Sequence, residues 1–120
     1  MSGIVEGRYA GAFQPGGLTV EVRIGRNHDG RLENLSGDVI AGFRHVLSFI
    51  GRAGALSESN DGRLSGRVSF FSAQTLRHNG SAITVSPNRQ AADGNPSISL
   101  TLDPGEGEIT VELEWAGSEL

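Results

Sequence analysis

Apolar and polar residues alternate along most of this chain. From Leu18 to Ile24 the even positions are apolar and the odd positions polar, and residues 108–115 alternate in the opposite phase. A period of two residues is typical of a β-strand with one face buried and the other in water. Shorter or less regular forms of the pattern predict further strands, at residues 8–13, 32–40, 64–71, 82–85 and 97–102.

The segments between these strands carry turn chemistry. Glycine supplies 18 of the 120 residues, and it often follows Asp or Asn, as the positive φ angles of tight hairpins require. Short strands at this spacing predict one antiparallel all-β domain over residues 1–120, which is either a whole protein or a domain excised from a longer one. The favoured architecture is a β-sandwich of jelly-roll or immunoglobulin-like kind with about eight short strands, and a small closed β-barrel is the alternative.

Residues 38–51 fit two kinds of element. Several of their residues are β-branched or aromatic, which favours strands. Apolar residues also recur at helical spacing, at Val39, Phe43, Val46, Leu47 and Ile50. Gly42 would interrupt a helix, so we favour strands with a bulge near Gly42 and keep one short helix as the alternative.

One short string occurs twice, as Asp29-Gly30-Arg31-Leu32 and Asp61-Gly62-Arg63-Leu64. Two copies are too few for a repeat protein. We interpret them as two hairpins of the same type, in which Asp-Gly turns the chain, the arginine points outward and the leucine enters the core.

Composition excludes several classes of function. Ten basic and fourteen acidic side chains are interspersed and give a net charge of −4, whereas nucleic acids and anionic membranes attract concentrated basic patches. No apolar run approaches the roughly 20 residues of a membrane span, so we expect a soluble chain. The lack of cysteine removes disulfides and thiolate chemistry and leaves the compartment undetermined.

Catalytic and metal-binding motifs are missing from the sequence. The three histidines, His28, His45 and His78, stand at no metal-ligand spacing and accompany no nucleophile motif. We therefore expect a protein that is not an enzyme and that uses neither a cofactor nor a metal ion.

Topology predicts where a binding site would lie. In an antiparallel domain alternate connections gather at one end, which here collects the connections near residues 26–30, 56–62 and 86–96. This rim is rich in amides and carboxylates, which suit sugar hydroxyls and are equally common in turns. The candidate binding residues are Asn27, His28, Asp29, Asn60, Asp61, Asn88, Arg89, Asp93 and Asn95.

The leading functional hypothesis is a non-catalytic module that binds a protein partner or a glycan, or that serves as an accessory domain beside a catalytic unit. A second hypothesis is a barrel that carries an apolar ligand in an empty interior lined by residues such as Val20, Val22, Leu100 and Val111. A third is a homo-oligomeric structural or assembly protein, joined through an edge strand or through Phe70 or Phe71, which are consecutive and so face opposite sides.

Overall fold

The computed structural model of the protein describes residues 4–13, 17–41, 44–71, 80–88, 96–103 and 107–117. Within these ranges the chain forms a 3₁₀ turn, Ala53–Ala55, and nine strands. The strands are β1 (Gly7–Phe13), β2 (Leu18–Arg26), β3 (Leu32–Ala41), β4 (Arg44–Arg52), β5 (Leu56–Glu58), β6 (Leu64–Phe71), β7 (Gly80–Pro87), β8 (Ser97–Leu102) and β9 (Ile109–Gly117). No helix in these ranges is long and apolar enough to span a bilayer.

The strands close into an eight-stranded antiparallel barrel. Strands β1 to β4 follow one another as neighbours, β6 to β9 do the same, and β5 adds to the start of β6. Two further pairings join these halves, because β9 pairs with β1 at Trp115 and Tyr9, and β4 pairs with β6 at Phe49 and Phe70. The all-β antiparallel prediction is confirmed in its alternative form, the small closed barrel.

The β-sandwich, which the sequence favoured, is wrong. A sandwich leaves its two sheets unjoined at their edges, whereas here the β4–β6 and β9–β1 pairings continue one sheet around the core. Among the described residues β5 pairs with β6 alone, so self-association through an edge strand stays a prediction. Phe70 packs partly buried against the core, and the side chain of Phe71 lies outside the described part of the structure.

Residues 38–41 and 44–51 form strands, and the short helix that was the alternative is not found in these two ranges. Strand β3 runs to Ala41 and β4 starts at Arg44, and the two pair antiparallel. The register between them shifts at Val39 and Ile40, two to three residues before the bulge that the sequence indicated. Gly42 itself lies outside the described residues.

The inward positions of the strands form one apolar core. Alternation places every second side chain inside, and the interior of an eight-stranded barrel is just wide enough for side chains to fill it. The four residues that would line an empty interior, Val20, Val22, Leu100 and Val111, are only 0–4 % exposed. A chamber wide enough for a ligand would leave its lining accessible to water, so the barrel is filled at the level of these residues.

Glycine makes room in this core for one large ring. Gly37 faces inward on β3, and a Cβ atom there would lie 2.3 Å from Cζ of Phe49. The Phe49 ring therefore occupies the space that a side chain at position 37 would need, and it is 1 % exposed.

The repeated Asp-Gly-Arg-Leu string forms the same turn twice, at residues 27–31 and 59–63. In each turn the N–H of the first residue donates to the carbonyl oxygen of the last, at 2.9 and 2.8 Å. Gly30 and Gly62 adopt φ angles of 80° and 86°, which favour glycine. The leucine after each turn is buried and the arginine is exposed, as the sequence predicted.

The N-terminal segment lies across the end of the barrel at which β1 starts. Ile4 is buried there, and the Tyr9 hydroxyl donates to the carbonyl oxygen of Val5 at 2.6 Å. The indole N–H of Trp115 donates to the carbonyl oxygen of Glu6 at 3.1 Å. These contacts cover the end of the barrel, which we call the N-terminal end.

Candidate functional site

The predicted rim residues lie at the N-terminal end as far as the structure describes them. The strand directions bring together there the β2–β3 turn, the β5–β6 turn and the residue after β7. The residues placed there are Asn27, His28, Asp29, Asn60, Asp61 and Asn88. Arg89, Asp93 and Asn95 lie outside the described residues. Ligand binding by this rim stays a prediction.

Two of the rim side chains hold the turns together. The Asn27 side-chain oxygen accepts two backbone N–H groups of its own turn, at 2.9 and 3.1 Å. The Asp61 carboxylate accepts the hydroxyl of Ser59 and the backbone N–H of Arg63. These hydrogen bonds lower the pKa of Asp61 below its ordinary value. Both side chains thus act as turn formers, which is the common structural use of Asn and Asp.

The other described rim residues form no shared polar site. The Asn88 side-chain oxygen accepts the hydroxyl of Ser99 at 3.1 Å, on the outer face of the sheet. His28 is 92 % exposed, and its Nε2 lies 3.6 Å from the carboxylate of Asp29. Asn60 is exposed on its turn. Turn formation therefore explains the polar side chains of this rim better than ligand binding does.

Arg26, which the sequence analysis did not select, ties the N-terminal end together. Its guanidinium donates twice to the carbonyl oxygen of Ile4, at 3.1 and 2.8 Å, and once to that of Gly30, at 3.0 Å. It also forms a bidentate pair with the Glu58 carboxylate, at 2.8 Å for each bond. All five guanidinium hydrogens are thereby used, so this arginine is structural and not available to a ligand.

The same pair has a clear electrostatic signature. The Arg26 side chain is 16 % exposed, and its hydrogen bonds to Glu58 raise the pKa of Arg26 and lower that of Glu58. The backbone N–H of Leu32 also donates to Glu58 and lowers its pKa further. Sequence reasoning had no signal for this pair, because the two residues are 32 positions apart.

A groove of about 350 Å³ lies on the outside of the barrel, away from the predicted rim. It crosses the middle of β6 and the start of β7, and it reaches the residues that follow β8 and precede β9. Its lining residues are Arg67, Gly80, Ser81, Ala82, Asp103 and Glu108.

Register and small side chains explain the shape of this groove. Arg67 pairs with Ala82 across β6 and β7, while Asp103 follows β8 and Glu108 precedes β9. The small residues Gly80 and Ala82 form the floor of the groove. The guanidinium of Arg67 lies on one side of it, and the carboxylates of Asp103 and Glu108 lie on the other. The arrangement can bind a polar ligand that both donates and accepts hydrogen bonds.

Ser81 fixes the acidic side of the groove. Its side chain is turned inward and 5 % exposed, its hydroxyl donates to the carbonyl oxygen of Ala82 at 2.6 Å, and Oγ of Ser81 accepts the backbone N–H of Asp103 at 2.9 Å. The Asp103 carboxylate accepts the N–H of Gly107 at 3.2 Å. Together these bonds hold the end of β8 against β7 and set the position of Asp103.

Comparisons with known proteins found no match: no protein-family model fits the chain, and neither a curated protein nor a solved structure matches it.

The side chain of His45 and the whole of His78 lie outside the described residues. Among the residues that are described, no three His, Cys, Asp or Glu side chains are grouped as a metal ion would need. A function is therefore inferred from the groove and its surroundings.

Proposed function

We propose that this protein is a non-catalytic binding module that holds a glycan on the outside of its barrel, in the groove between Arg67 and the carboxylates of Asp103 and Glu108. The observation that carries the proposal is the groove itself, which has charged hydrogen-bonding groups on both sides. A guanidinium donates and carboxylates accept, so together they match the hydroxyl groups of a sugar.

The composition of the groove supports binding without catalysis. Its lining contains no histidine, and its one hydroxyl nucleophile, Ser81, is buried and already bonded to Ala82 and Asp103. A nucleophile needs an adjacent base and access to the substrate. Neither condition is met at Ser81.

A glycan suits this surface better than a protein partner. Protein interfaces derive most of their affinity from buried aromatic and large apolar side chains. The groove lining contains no apolar side chain larger than alanine. Val5, which is exposed and large enough to contribute to a protein interface, lies at the other end of the barrel.

The test fills the groove and leaves the rest of the surface unchanged. Ala82→Trp places an indole between Arg67 and the carboxylates, and Ala12→Trp, on the exposed outer face of β1, is the matched control. Both variants and the parent protein are screened on arrays of glycans and of peptides. We expect glycan binding by the parent and by Ala12→Trp and its loss in Ala82→Trp. Equal binding by both variants, or a signal on peptides alone, would contradict the proposal.

A further inference from the structure

We infer that the ligand is an extended, hydroxyl-rich polysaccharide that lies across β6 to β9, along a row of serine and threonine side chains beside the groove. The inference depends on the proposed function, because it names the ligand class and the direction of the chain at that site. It begins from the pairing register of the outer face.

One hydroxyl side chain per strand forms a row across the barrel. The register pairs Ser65 with Thr84, Thr84 with Thr101, and Thr101 with Thr110. Ser57 on β5 extends the row beyond Ser65. Neighbouring strands lie about 4.8 Å apart, so the row presents hydroxyl groups at a regular spacing of about 4.8 Å.

This row runs beside the groove and parallel to it. Thr84 is two residues from Ala82, and Ser65 is two residues from Arg67, so in each strand both side chains face outward. Thr101 is likewise two residues from Asp103, and Thr110 is two residues from Glu108. The two rows form a polar strip four strands wide, which spans about 14 Å (three strand spacings). We call the eight residues the polar strip: Arg67, Ala82, Asp103 and Glu108 with Ser65, Thr84, Thr101 and Thr110.

The hydroxyl row retains capacity to bind a ligand. Each hydroxyl can donate one hydrogen bond and accept two. In the described part of the chain a single hydrogen bond joins two members of the row, between Thr101 and Thr110 at 2.9 Å. Sugar hydroxyls have the same dual character, so a polyol chain can bond to each strand in turn.

Several polar groups on the outer face of β2 to β4 instead bind one another. There Arg23 contacts the carboxylates of Glu21, at 2.9 Å, and Asp38, at 3.5 Å. The hydroxyl of Ser48 donates to Asp38 at 2.7 Å. Because these four side chains already contact one another, they offer a ligand fewer hydrogen bonds than the hydroxyl row does.

Charge narrows the class of polysaccharide. The polar strip has one guanidinium and two carboxylates, a net charge of −1, and the protein as a whole carries −4. Repulsion between like charges disfavours a chain of uronic acids. An uncharged or amine-bearing polysaccharide fits the strip.

The experiment measures how polysaccharides embedded in a native gel slow the intact protein. The four probes are hydroxyethylcellulose, xylan, chitosan and polygalacturonate. The test variant is Thr84→Val with Thr101→Val, which keeps side-chain shape and removes two hydroxyls, and the control is Thr19→Val on the exposed outer face of β2.

We expect retardation of the parent protein by an uncharged or amine-bearing probe and weaker retardation by polygalacturonate. The double valine variant should bind about tenfold more weakly, since two hydrogen bonds of roughly 0.7 kcal/mol each are lost. Thr19→Val should bind like the parent. A double variant that binds as well as Thr19→Val overturns the inference.

The outcomes separate this inference from the proposed function. If Ala82→Trp abolishes binding to a glycan while the double valine variant retains it, the groove binds the ligand and the hydroxyl row does not. If none of the four polysaccharides retards the parent protein, or if polygalacturonate does so most strongly, the polysaccharide inference is wrong. The proposed function is then still decided by the glycan and peptide arrays.

Discussion

Replacement of Arg26 by methionine should destabilise the barrel more than any substitution on its outer face. Methionine keeps much of the length of the side chain but removes all five donor groups. The bonds to Ile4 and Gly30 are lost together with the bidentate pair to Glu58. The N-terminal segment would then lose its main polar attachment to the end of β2.

The partial exposure of the pair limits the expected magnitude. Removal of one partner from a fully buried ion pair costs about 3–5 kcal/mol, but Glu58 is 29 % exposed and regains hydration. We therefore expect the loss of the charge-assisted hydrogen bonds to lower the free energy of unfolding by about 2 kcal/mol. For a domain of this size that lowers Tm by about 8 °C.

Urea and thermal unfolding measure the effect, and the protein carries its own probe. Trp115 is the only tryptophan in the sequence and bonds to Glu6, so its fluorescence reports on the N-terminal end while circular dichroism reports on the strands. Arg26→Lys should fall between the parent and Arg26→Met, since lysine cannot form the bidentate pair. A loss below about 1 kcal/mol in Arg26→Met, the range of a surface ion pair, would refute the reasoning.

The dependence of stability on pH tests the same pair from the side of Glu58. Its pKa in the folded protein lies below the ordinary value of about 4.5, so its contribution is complete above that value and is lost as the pH falls through the lower, folded pKa. The parent protein should therefore lose stability as the pH falls below about 4.5. Glu58→Gln should show a smaller loss over that range, and an unchanged slope would argue against the pair.

Three further predictions concern the core and the groove. Burial raises the pKa of Tyr9 to about 12, so stability should be constant up to about pH 10 and fall between about pH 10 and pH 12. Tyrosinate absorbance follows this group alone, because the chain has one tyrosine. Tyr9→Phe should remove the fall in stability. Gly37→Ala should lower the free energy of unfolding in urea by about 1–3 kcal/mol, because the new methyl group overlaps the Phe49 ring. Adding Phe49→Leu to this variant should restore part of that free energy. Ser81→Ala leaves the N–H of Asp103 without its acceptor and should lower the free energy of unfolding by about 1–3 kcal/mol. Full stability in this variant would show that water replaces the hydroxyl.

The strands and their buried faces could be predicted from the sequence because each depends on local alternation. Val20, Val22, Leu100 and Val111 stand at inward positions of the predicted strands, and all four are buried. The alternation does not distinguish a sandwich from a barrel, since both bury every second residue. The difference arises from two long-range pairings, β4 with β6 and β9 with β1, which no local pattern encodes.

The candidate site was harder to predict for a different reason. Turn formation and ligand recognition use the same side chains, so Asn27 and Asp61 fitted both roles until their hydrogen bonds showed the first. The groove has no motif, because it depends on the register that sets Ala82 beside Arg67. The connections that share one end of the domain could be predicted, since this requires only the order and the antiparallel direction of the strands.

Closure of the barrel favours the outer-face site that we propose. It pairs β4 with β6 and β9 with β1, edges that an open sheet would offer to a partner, and the described inward side chains are buried in the interior. The proposed recognition uses outward side chains, which alternation frees from any role in the core. Arg67 and Glu108 are exposed and Ala82 is small, so the residues of the groove can change without disturbing the pairing of the strands. Substitutions on the outer face of β6 to β9, where we propose that the ligand binds, should therefore change ligand affinity while the core and the Arg26 attachment stay fixed.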